Sequence, residues 1–488
     1  MGRLRAGAAK VNITPPIGFV DRRASIFKKA KNAKPRGVLD ELYAKALVLD
    51  DGVASVALVT LDLMDNDAEF AAEIRQVVKQ LTGILPQNVL ISATHNNSGP
   101  GVGFVRWGGE ADAAYLSEVQ RKAAGAVYAA WRDLKPAKIG SGLGQAPPDL
   151  AGPCLQYWWF QGRDDAGIRR SSPALIDFDD SVSPVDRQIG VVRIDDAEGR
   201  AIAALLNYGC TPICLGPNNV LISAEYPGQA TAMIERELED GAVALFFQGA
   251  GGDVDPVHSL PRAEYLEIED QLDSPMYADM RRIGAIIAYE ALRVLETTNS
   301  SSFSEIKCRS QMIELPWWNM PTLAEMGATV EAARQDLLAA GDSSFTWAWG
   351  ADYGVERNLA LARGYLGWAE DKLSMQQTGT VVEGQRCEIQ VISLDPVLFI
   401  GVTAELYAQV GLELKAGLHE ICPDRSVLLC GLANGSFGYI PSQPAYELDG
   451  GRNLWQCAKQ YDMPAPIAPD SVGILCGAVR ELVADLGA

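Results

Sequence analysis

Residues 45–95 decide the fold class of this chain, and they read KALVLDDGVASVALVTLDLMDNDAEFAAEIRQVVKQLTGILPQNVLISATH. Two apolar runs flank Asp51-Gly52, a strong turn signal, so residues 45–63 are predicted to form a β-hairpin. Residues 67–83 have the apolar spacing of a helix and finish on Gly83, which is typical of a helix C-cap. NVLISATH then follows as a buried strand. This order of elements predicts an α/β fold.

The same alternation continues along the chain. A long amphipathic helix is predicted at 113–134, strands at 201–212 and 242–256, and helices at 227–241 and 280–297. Each helix has apolar residues at the spacing of one buried face, and each strand is a short apolar run that ends in a turn.

Residues 316–380 differ from this pattern. Thr322 and Glu325 have the spacing of a capping box, and the helix that they begin is predicted to close at Gly341. We interpret 316–380 as a helical insertion or lid. Because no linker, low-complexity tract or repeat separates the segments, residues 1–488 are predicted to form a single domain.

Composition excludes several classes of function. Lys plus Arg number 42 and Asp plus Glu 62, which gives a net charge of −20, so binding to nucleic acid or to anionic lipid is not expected. The nine cysteines include no CxxC pair, which favours reduced thiols in a cytoplasmic protein. No apolar run of about 18 residues predicts a membrane span, and the N-terminus has no apolar leader segment.

Polar side chains follow several of the predicted strands. His95, Asp253, Asp255, Glu405 and Tyr439 each stand at or just beyond an apolar run. Ligands of α/β proteins tend to bind at the carboxyl ends of the strands. The sequence therefore predicts that these five side chains lie close together in a site.

Several motifs resemble one known family, in the right order along the chain. They are AGAAKVNITPPIG, LDELYAKALVLDDG, NVLISATHNNSGP, NYGCTPICLGPNNVLISAEYPG, FFQGAGGDVDP, GVTAELYAQVG and NGSFGYIPSQPAYE. They are similar to stretches of the neutral/alkaline (non-lysosomal) ceramidases, which are zinc amidohydrolases. The resemblance implies a ceramidase-type catalytic domain, with a mixed sheet flanked by helices.

In that family, three histidines, a glutamate and a tyrosine hold a zinc ion that activates water. Carried over by position, His95, Glu405 and Tyr439 match three of these ligands. Asn97 and Thr211 stand where the other two histidines would be. Since zinc prefers nitrogen and sulfur ligands, the loss of two imidazoles puts zinc, and the ordinary reaction with it, in doubt.

The resemblance also implies an arginine that binds the substrate or the developing oxyanion. Arg170 is the candidate, and Arg169 is the alternative. Asn97, Thr211, Asp253 and Asp255 are then expected to contact the substrate.

Four interpretations stay open. The first is metal-free acid/base chemistry by His95 and Tyr439, helped by Glu405 and Arg170, in a hydrolase or a repurposed lyase or cyclase. The second is an amide hydrolase with Mg²⁺, Mn²⁺ or Ca²⁺ at an oxygen-rich site that includes Asp255.

The third interpretation is a non-catalytic binding protein on the same fold. The fourth is zinc retained through other donors, for which Cys210, Cys214 and His258 are candidates. Buried cysteines are more often small core residues, and His258 and His419 are expected on the surface.

Two features of the secreted members of the family bear on the substrate. Secreted members of the family have a leader and a C-terminal immunoglobulin-like domain, and we expect neither here. A small soluble molecule is therefore expected as the substrate.

Overall fold

The hairpin and the helix predicted from residues 45–95 form as expected. Asp51 makes the turn of the hairpin, where its Oδ1 accepts hydrogen bonds of 2.8 Å from the backbone of Val53 and of Ala54. The helix starts at Asp67, whose side chain accepts from the Phe70 N–H, and it ends at Gly83 in the left-handed conformation. Because each end has its capping residue, the sequence fixes the bounds of this helix closely.

The computed structural model describes residues 2–18, 35–102, 111–153, 184–216, 219–239, 241–257, 275–347, 354–447 and 451–487. The strands are β1 Gly2–Arg3, β2 Arg5–Asn12, β3 Gly37–Val38, β4 Tyr43–Asp50, β5 Ser55–Leu61, β6 Val89–Ala93, β7 Lys135–Gln145, β8 Ala151–Pro153, β9 Gln188–Asp196, β10 Ala201–Tyr208, β11 Leu221–Ile222, β12 Val243–Gln248, β13 Val254–Pro256, β14 Phe303–Ser304, β15 Lys307–Pro316, β16 Gly384–Leu394, β17 Val397–Val402, β18 Glu405–Leu406, β19 Ser426–Cys430 and β20 Tyr439–Ile440.

The helices are α1 Ala68–Thr82, α2 Ala113–Arg132, α3 Glu225–Leu238, α4 Pro275–Thr297, α5 Leu323–Ala339, α6 Val355–Thr378, α7 Ala408–His419, α8 Gln443–Glu447, α9 Arg452–Gln460 and α10 Ser471–Leu486, with a 3₁₀ turn at Pro86–Asn88. The helix predicted at 227–241 begins two residues earlier, at Glu225, and ends at Leu238. The helix that begins at the Thr322 capping box ends at Ala339, just before Gly341.

Two mixed sheets form the centre of the molecule. The larger one has the strand order β12-β10-β9-β7-β2-β4-β5-β6, and the smaller one has the order β15-β16-β17-β19. The pairs β10/β12, β5/β6 and β17/β19 are parallel, and their neighbours in these sheets are antiparallel. The α/β class and the mixed sheet are therefore as predicted, with a second sheet that the sequence pattern did not separate from the first.

The apolar residues arrange these elements in four layers. One face of the larger sheet packs on α1 and α2 and on α3 and α4. Its other face packs directly on the smaller sheet, through residues such as Leu47, Leu205, Phe247, Phe399 and Leu428. The outer face of the smaller sheet is covered by α7 and α10. Strands of both sheets are buried on two faces, which explains why they read as continuous apolar runs.

The segment predicted as a helical insertion is a pair of helices. α5 and α6 stand between β15 and β16, which pair with each other along their whole length from Lys307–Ser393 to Pro316–Gly384. Met326 and Val330 of α5 pack against Trp368 and Ala369 of α6. The insertion therefore has a small core of its own.

Two features bear on the expected surroundings of the protein. Across the residues that the structure describes, we find no helix with the length and apolarity required to cross a bilayer. Each cysteine in that part of the chain is a free thiol.

Candidate active site at the carboxyl ends of the strands

His95 lies two residues beyond the end of β6, in an uncommon backbone conformation. Its φ is 64°, in the left-handed region that residues other than glycine seldom adopt. The imidazole Nδ1 lies 2.7 Å from the Met64 carbonyl oxygen, and Nε2 lies 2.9 Å from Oε2 of Glu405. Because a carbonyl oxygen only accepts, Nδ1 carries a hydrogen. The side chains of His95 and Glu405 are almost wholly buried.

Glu405 reaches this contact from the chain that follows β17 of the smaller sheet. It begins β18, lies in register with Tyr439 of β20, and donates its N–H to the Gly438 carbonyl at 2.8 Å. Its second carboxylate oxygen, Oε1, accepts a hydrogen bond of 3.2 Å from the Tyr461 hydroxyl. The carboxylate is thus held between an imidazole on one side and a phenol on the other.

The charge of the imidazole depends on this pairing. Burial alone would lower the pKa of His95, but the Glu405 carboxylate, the Met64 carbonyl and the negative charge of Asp65 together raise it to about 9. His95 is therefore an imidazolium at neutral pH, with both nitrogens donating. Asp65 is itself buried and accepts the Val102 N–H at 3.0 Å.

Three tyrosines surround the pair. The ring of Tyr439 meets those of Tyr407 and Tyr461 edge-on, with centroid distances of 5.8 and 5.9 Å. Burial, together with the charge of Glu405, raises the pKa of Tyr439 well above its usual value, so its hydroxyl stays protonated. A Cβ at Gly252 would lie 3.0 Å from the Tyr439 ring, so a larger residue there would press on the ring.

Asn97 and Thr211, which the motif resemblance places at histidine positions, lie in the loops around the pair. Asn97 donates its side-chain amide to the His95 carbonyl at 3.1 Å, and its backbone N–H to the Pro212 carbonyl at 3.1 Å. Thr211 donates its hydroxyl to the Gly251 carbonyl at 3.0 Å. Both side chains therefore bind the backbone of the loops that form the site.

The two acidic residues of the GGDVDP stretch, Asp253 and Asp255, have different surroundings from each other. The carboxylate of Asp253 accepts the N–H of Ala408, the first residue of α7, at 2.7 Å. Asp255 lies in β13, half-buried, and its negative charge acts on the Cys210 thiol. Asp253 thus anchors the helix that follows Glu405, which is a structural task not foreseen from the sequence.

An Asp253→Ala variant tests this anchoring. It should lower the free energy of unfolding by about 1–3 kcal/mol, because a buried N–H loses a charged acceptor. Asp253→Asn keeps an acceptor oxygen and is the matched control, with a smaller loss. Urea denaturation of the three proteins would measure the difference, and equal losses in both variants would contradict this role.

A buried network supports the loop that carries His95 and Asn97. Ser98 donates its hydroxyl to Glu225 at 2.6 Å, and Asn219 donates its amide to Ser98 at 2.9 Å. Glu225 begins α3 with a φ of 55° and also accepts the N–H of Leu215. The loop after β6 is thereby tied to the segment before α3.

The remaining sequence candidates either lie outside the described residues or are away from this cluster. Arg169, Arg170 and His258 lie outside the described residues. His419 is the last residue of α7 and is exposed, as expected. The thiols of Cys210 and Cys214 are completely buried in the core beneath the larger sheet, and burial raises the pKa of both.

The donor set that the structure describes does not fit a zinc ion. A tetrahedral zinc with ligand bonds of about 2.0–2.2 Å separates its nitrogen and oxygen ligands by roughly 3.3 Å. Nε2 of His95 and Oε2 of Glu405 are closer than this, at 2.9 Å, as a hydrogen-bonded pair is. Asn97 and Thr211 are engaged with carbonyl oxygens, and no group of three His, Cys, Asp or Glu side chains within the described ranges could hold a metal.

Sequence reasoning missed two residues of the site. Asp65 follows the apolar strand β5, as His95 follows β6, so the same signal was present in LVTLDLMDND and was overlooked. Tyr461 had no such signal. It lies in a turn after α9, far along the chain, and only the three-dimensional fold brings its hydroxyl to Glu405.

Comparison with known proteins supports the resemblance found in the motifs. No protein-family model matches the chain. Among solved structures it is similar to the neutral ceramidase from Pseudomonas aeruginosa, with a TM-score of 0.65 and 18% identity, over 100% of this chain and 74% of that one. It is also similar to a ceramidase complexed with C2, with a TM-score of 0.65 and 17% identity, over 99% of this chain and 76% of that one. The two sheets and their flanking helices therefore have the fold of the neutral ceramidases.

Proposed function

We propose that this protein is a hydrolase-type enzyme for a small soluble substrate, in which His95 and Tyr439 perform acid/base chemistry without a catalytic zinc ion. The observation that carries the proposal is the 2.9 Å contact between His95 Nε2 and Glu405 Oε2. His95 and Glu405 match zinc ligands of the family by position, and here they form a direct hydrogen-bonded ion pair.

The pair can supply both of the proton transfers that hydrolysis requires. Attack of water on a carbonyl needs a group that takes a proton from water and a group that gives one to the leaving atom. The carboxylate of Glu405 is suited to take it, and the imidazolium of His95 to give it. The protonated hydroxyl of Tyr439 is a second donor, for the oxygen on which negative charge develops.

The partly exposed residues indicate how a substrate reaches the pair. Asn97, Tyr439 and Tyr461 are half-buried, whereas His95 and Glu405 lie beneath them. A small molecule entering past these three side chains would meet the Tyr439 hydroxyl and the amide of Asn97 before the charged pair. Arg170 or Arg169 remains the proposed arginine for an anionic oxygen.

Elemental analysis of the protein, purified without chelator or metal-binding tag, tests the proposal. We expect no stoichiometric zinc, manganese, magnesium or calcium. Zinc at about one equivalent would overturn the proposal, because other donors would then complete the site. A stoichiometric oxygen-binding cation would instead support the alternative of a non-zinc amide hydrolase.

An Asn97→His/Thr211→His double variant should bind zinc. It restores imidazoles at the two places where the family has histidines, so we expect it to bind about one equivalent of zinc. The matched control is Asn97→Gln/Thr211→Ser, which adds no zinc ligand. If the double variant retains no zinc while it folds normally, the likeness of these two positions to the family's ligands is wrong.

A cytoplasmic location is part of the same proposal. It is supported by the free thiols of the described cysteines. Alkylation of the protein in its source cells under non-reducing conditions, followed by mass spectrometry, should find these thiols reduced. Disulfide-bonded cysteines would overturn it.

A further inference from the structure

The hydroxyl of Tyr461 contacts the catalytic pair from a part of the chain that no site motif includes. It donates to Oε1 of Glu405 at 3.2 Å, which leaves Oε2 for His95. The ring of Tyr461 lies against Gly438, where a Cβ would come within 2.8 Å of it, and it makes a T-shaped contact with the ring of Tyr439. The orientation of Tyr461 is therefore closely defined by its neighbours.

The turn that carries Tyr461, residues 459–463, is held by one face of α6. The ammonium of Lys459 lies over the rings of Tyr365 and Trp368, at 5.2 and 5.4 Å from their centroids. The indole N–H of Trp368 donates to the Met463 carbonyl at 2.8 Å. The contacts thus flank Tyr461 on both sides of the turn.

A third contact of α6 is an ion pair. Lys372 is buried, and its ammonium lies 3.1 Å from a carboxylate oxygen of Asp462, the residue directly after Tyr461. Asp462 has a φ of 60°, so the chain reverses here in a left-handed conformation. Tyr365, Trp368 and Lys372 follow each other at helical spacing on one face of α6, so a single rigid surface makes all three contacts.

The opposite helix of the insertion supports this surface. Met326 and Val330 of α5 pack on Trp368 from the other side. The contacts with the 459–463 turn are therefore made by α6, and α5 packs on α6. This arrangement favours a clamp over a lid, because a lid would have to release these buried contacts in order to open.

We propose that Tyr461 is a positioning residue for Glu405, and that the helical pair α5/α6 is a clamp that holds Tyr461 in the site through the 459–463 turn. The proposal rests on the proposed function only in taking the His95–Glu405 pair as the catalytic centre. The two oxygens of a carboxylate turn together about one bond, so a hydrogen bond to one of them restrains the direction of the other. Tyr461 fixes one of them and so determines the direction in which the other meets His95.

Histidine-selective NMR tests this without any knowledge of the substrate. The chain contains three histidines, so ¹⁵N-histidine labelling gives a simple spectrum, in which the signals lost in His95→Gln belong to His95. At a fixed pH of about 7, Tyr461→Phe should shift the Nε2 signal of His95 by more than its line width. Lys372→Met, which does not touch the pair, should shift it in the same direction.

Two more variants keep the result unambiguous. Asp462→Asn removes the same ion pair and suits a left-handed backbone, so it stands in for Lys372→Met if that variant does not fold. Glu370→Gln is the matched control, since it breaks the exposed Arg334–Glu370 ion pair between the same two helices without touching the 459–463 turn. It should leave the His95 signal in place.

Each negative result overturns a defined part of the proposal. If Tyr461→Phe leaves the His95 signal unchanged, Tyr461 does not position Glu405. If Tyr461→Phe shifts the signal but folded Lys372→Met and Asp462→Asn do not, the clamp is wrong. Because the readout is a resonance and not turnover, failure of the proposed function would leave these outcomes distinguishable.

Discussion

A Glu405→Leu variant should lose about 3–5 kcal/mol of its free energy of unfolding at neutral pH. The reason is that leucine fills the volume of the side chain but leaves the buried imidazolium of His95 without its carboxylate. Tyr461 loses its acceptor in the same variant. Urea denaturation followed by circular dichroism would measure the loss.

The double variant His95→Leu/Glu405→Leu is the matched control. It removes both charges, and buried ion pairs replaced by apolar residues often cost little. We therefore expect the double variant to be more stable than Glu405→Leu alone. Losses that simply add would mean that the two side chains do not interact.

The difference between Glu405→Leu and the parent should also depend on pH. The pKa of His95 is about 9 in the folded protein, above its ordinary value of about 6.5. Stabilisation by the protonated imidazole is therefore fully present below about pH 6.5 and is lost as the pH rises through about 9. The groups that face His95 and favour its charge, Glu405 and Asp65, are both carboxylates. A difference that does not narrow at high pH would contradict the ion pair.

A His95→Gln variant should lose turnover by about 10²–10⁴-fold, the usual contribution of a general acid or base. Tyr439→Phe should lose activity as well, because it removes one hydroxyl and little else. The measurement is hydrolysis of p-nitrophenyl acetate or of a short N-acyl amide, whichever a screen of the parent protein identifies. EDTA should leave the turnover of the parent intact.

His419→Gln is the matched control for the loss of a histidine, since His419 is exposed at the end of α7. It should keep full activity. Turnover that survives in His95→Gln, or that chelator abolishes in the parent, would contradict metal-free catalysis by His95. A parent that turns over neither esters nor amides, yet is stabilised by a ligand, would favour a binding role.

The sequence predicted local structure well where local signals decide it. The Asp51-Gly52 turn, the helix between Asp67 and Gly83 and the Thr322–Glu325 capping box each involve residues that are neighbours in the chain. The sequence also predicted that His95, Glu405 and Tyr439 lie close together, because each of them stands at the end of an apolar strand.

What the sequence did not reveal depends on contacts between distant segments. The sequence did not distinguish two sheets from one, because strands buried on both faces have the same apolar pattern in either sheet. The anchoring of α7 by Asp253 had no signal in the sequence, because only the fold places the N–H of Ala408 beside its carboxylate. Tyr461 reaches Glu405 through a turn that α6 holds from outside the sheets.

His95 and Glu405 follow strands of different sheets, His95 after β6 of the larger and Glu405 after β17 of the smaller. The apolar interface between the sheets keeps them 2.9 Å apart, together with hydrogen bonds such as the one that Asn434 accepts from the N–H of Ile91. A partial opening that separates the sheets would therefore move His95 away from Glu405. Amide hydrogen exchange at Ile91 should accordingly report how often the sheets separate and the contact between His95 and Glu405 is broken.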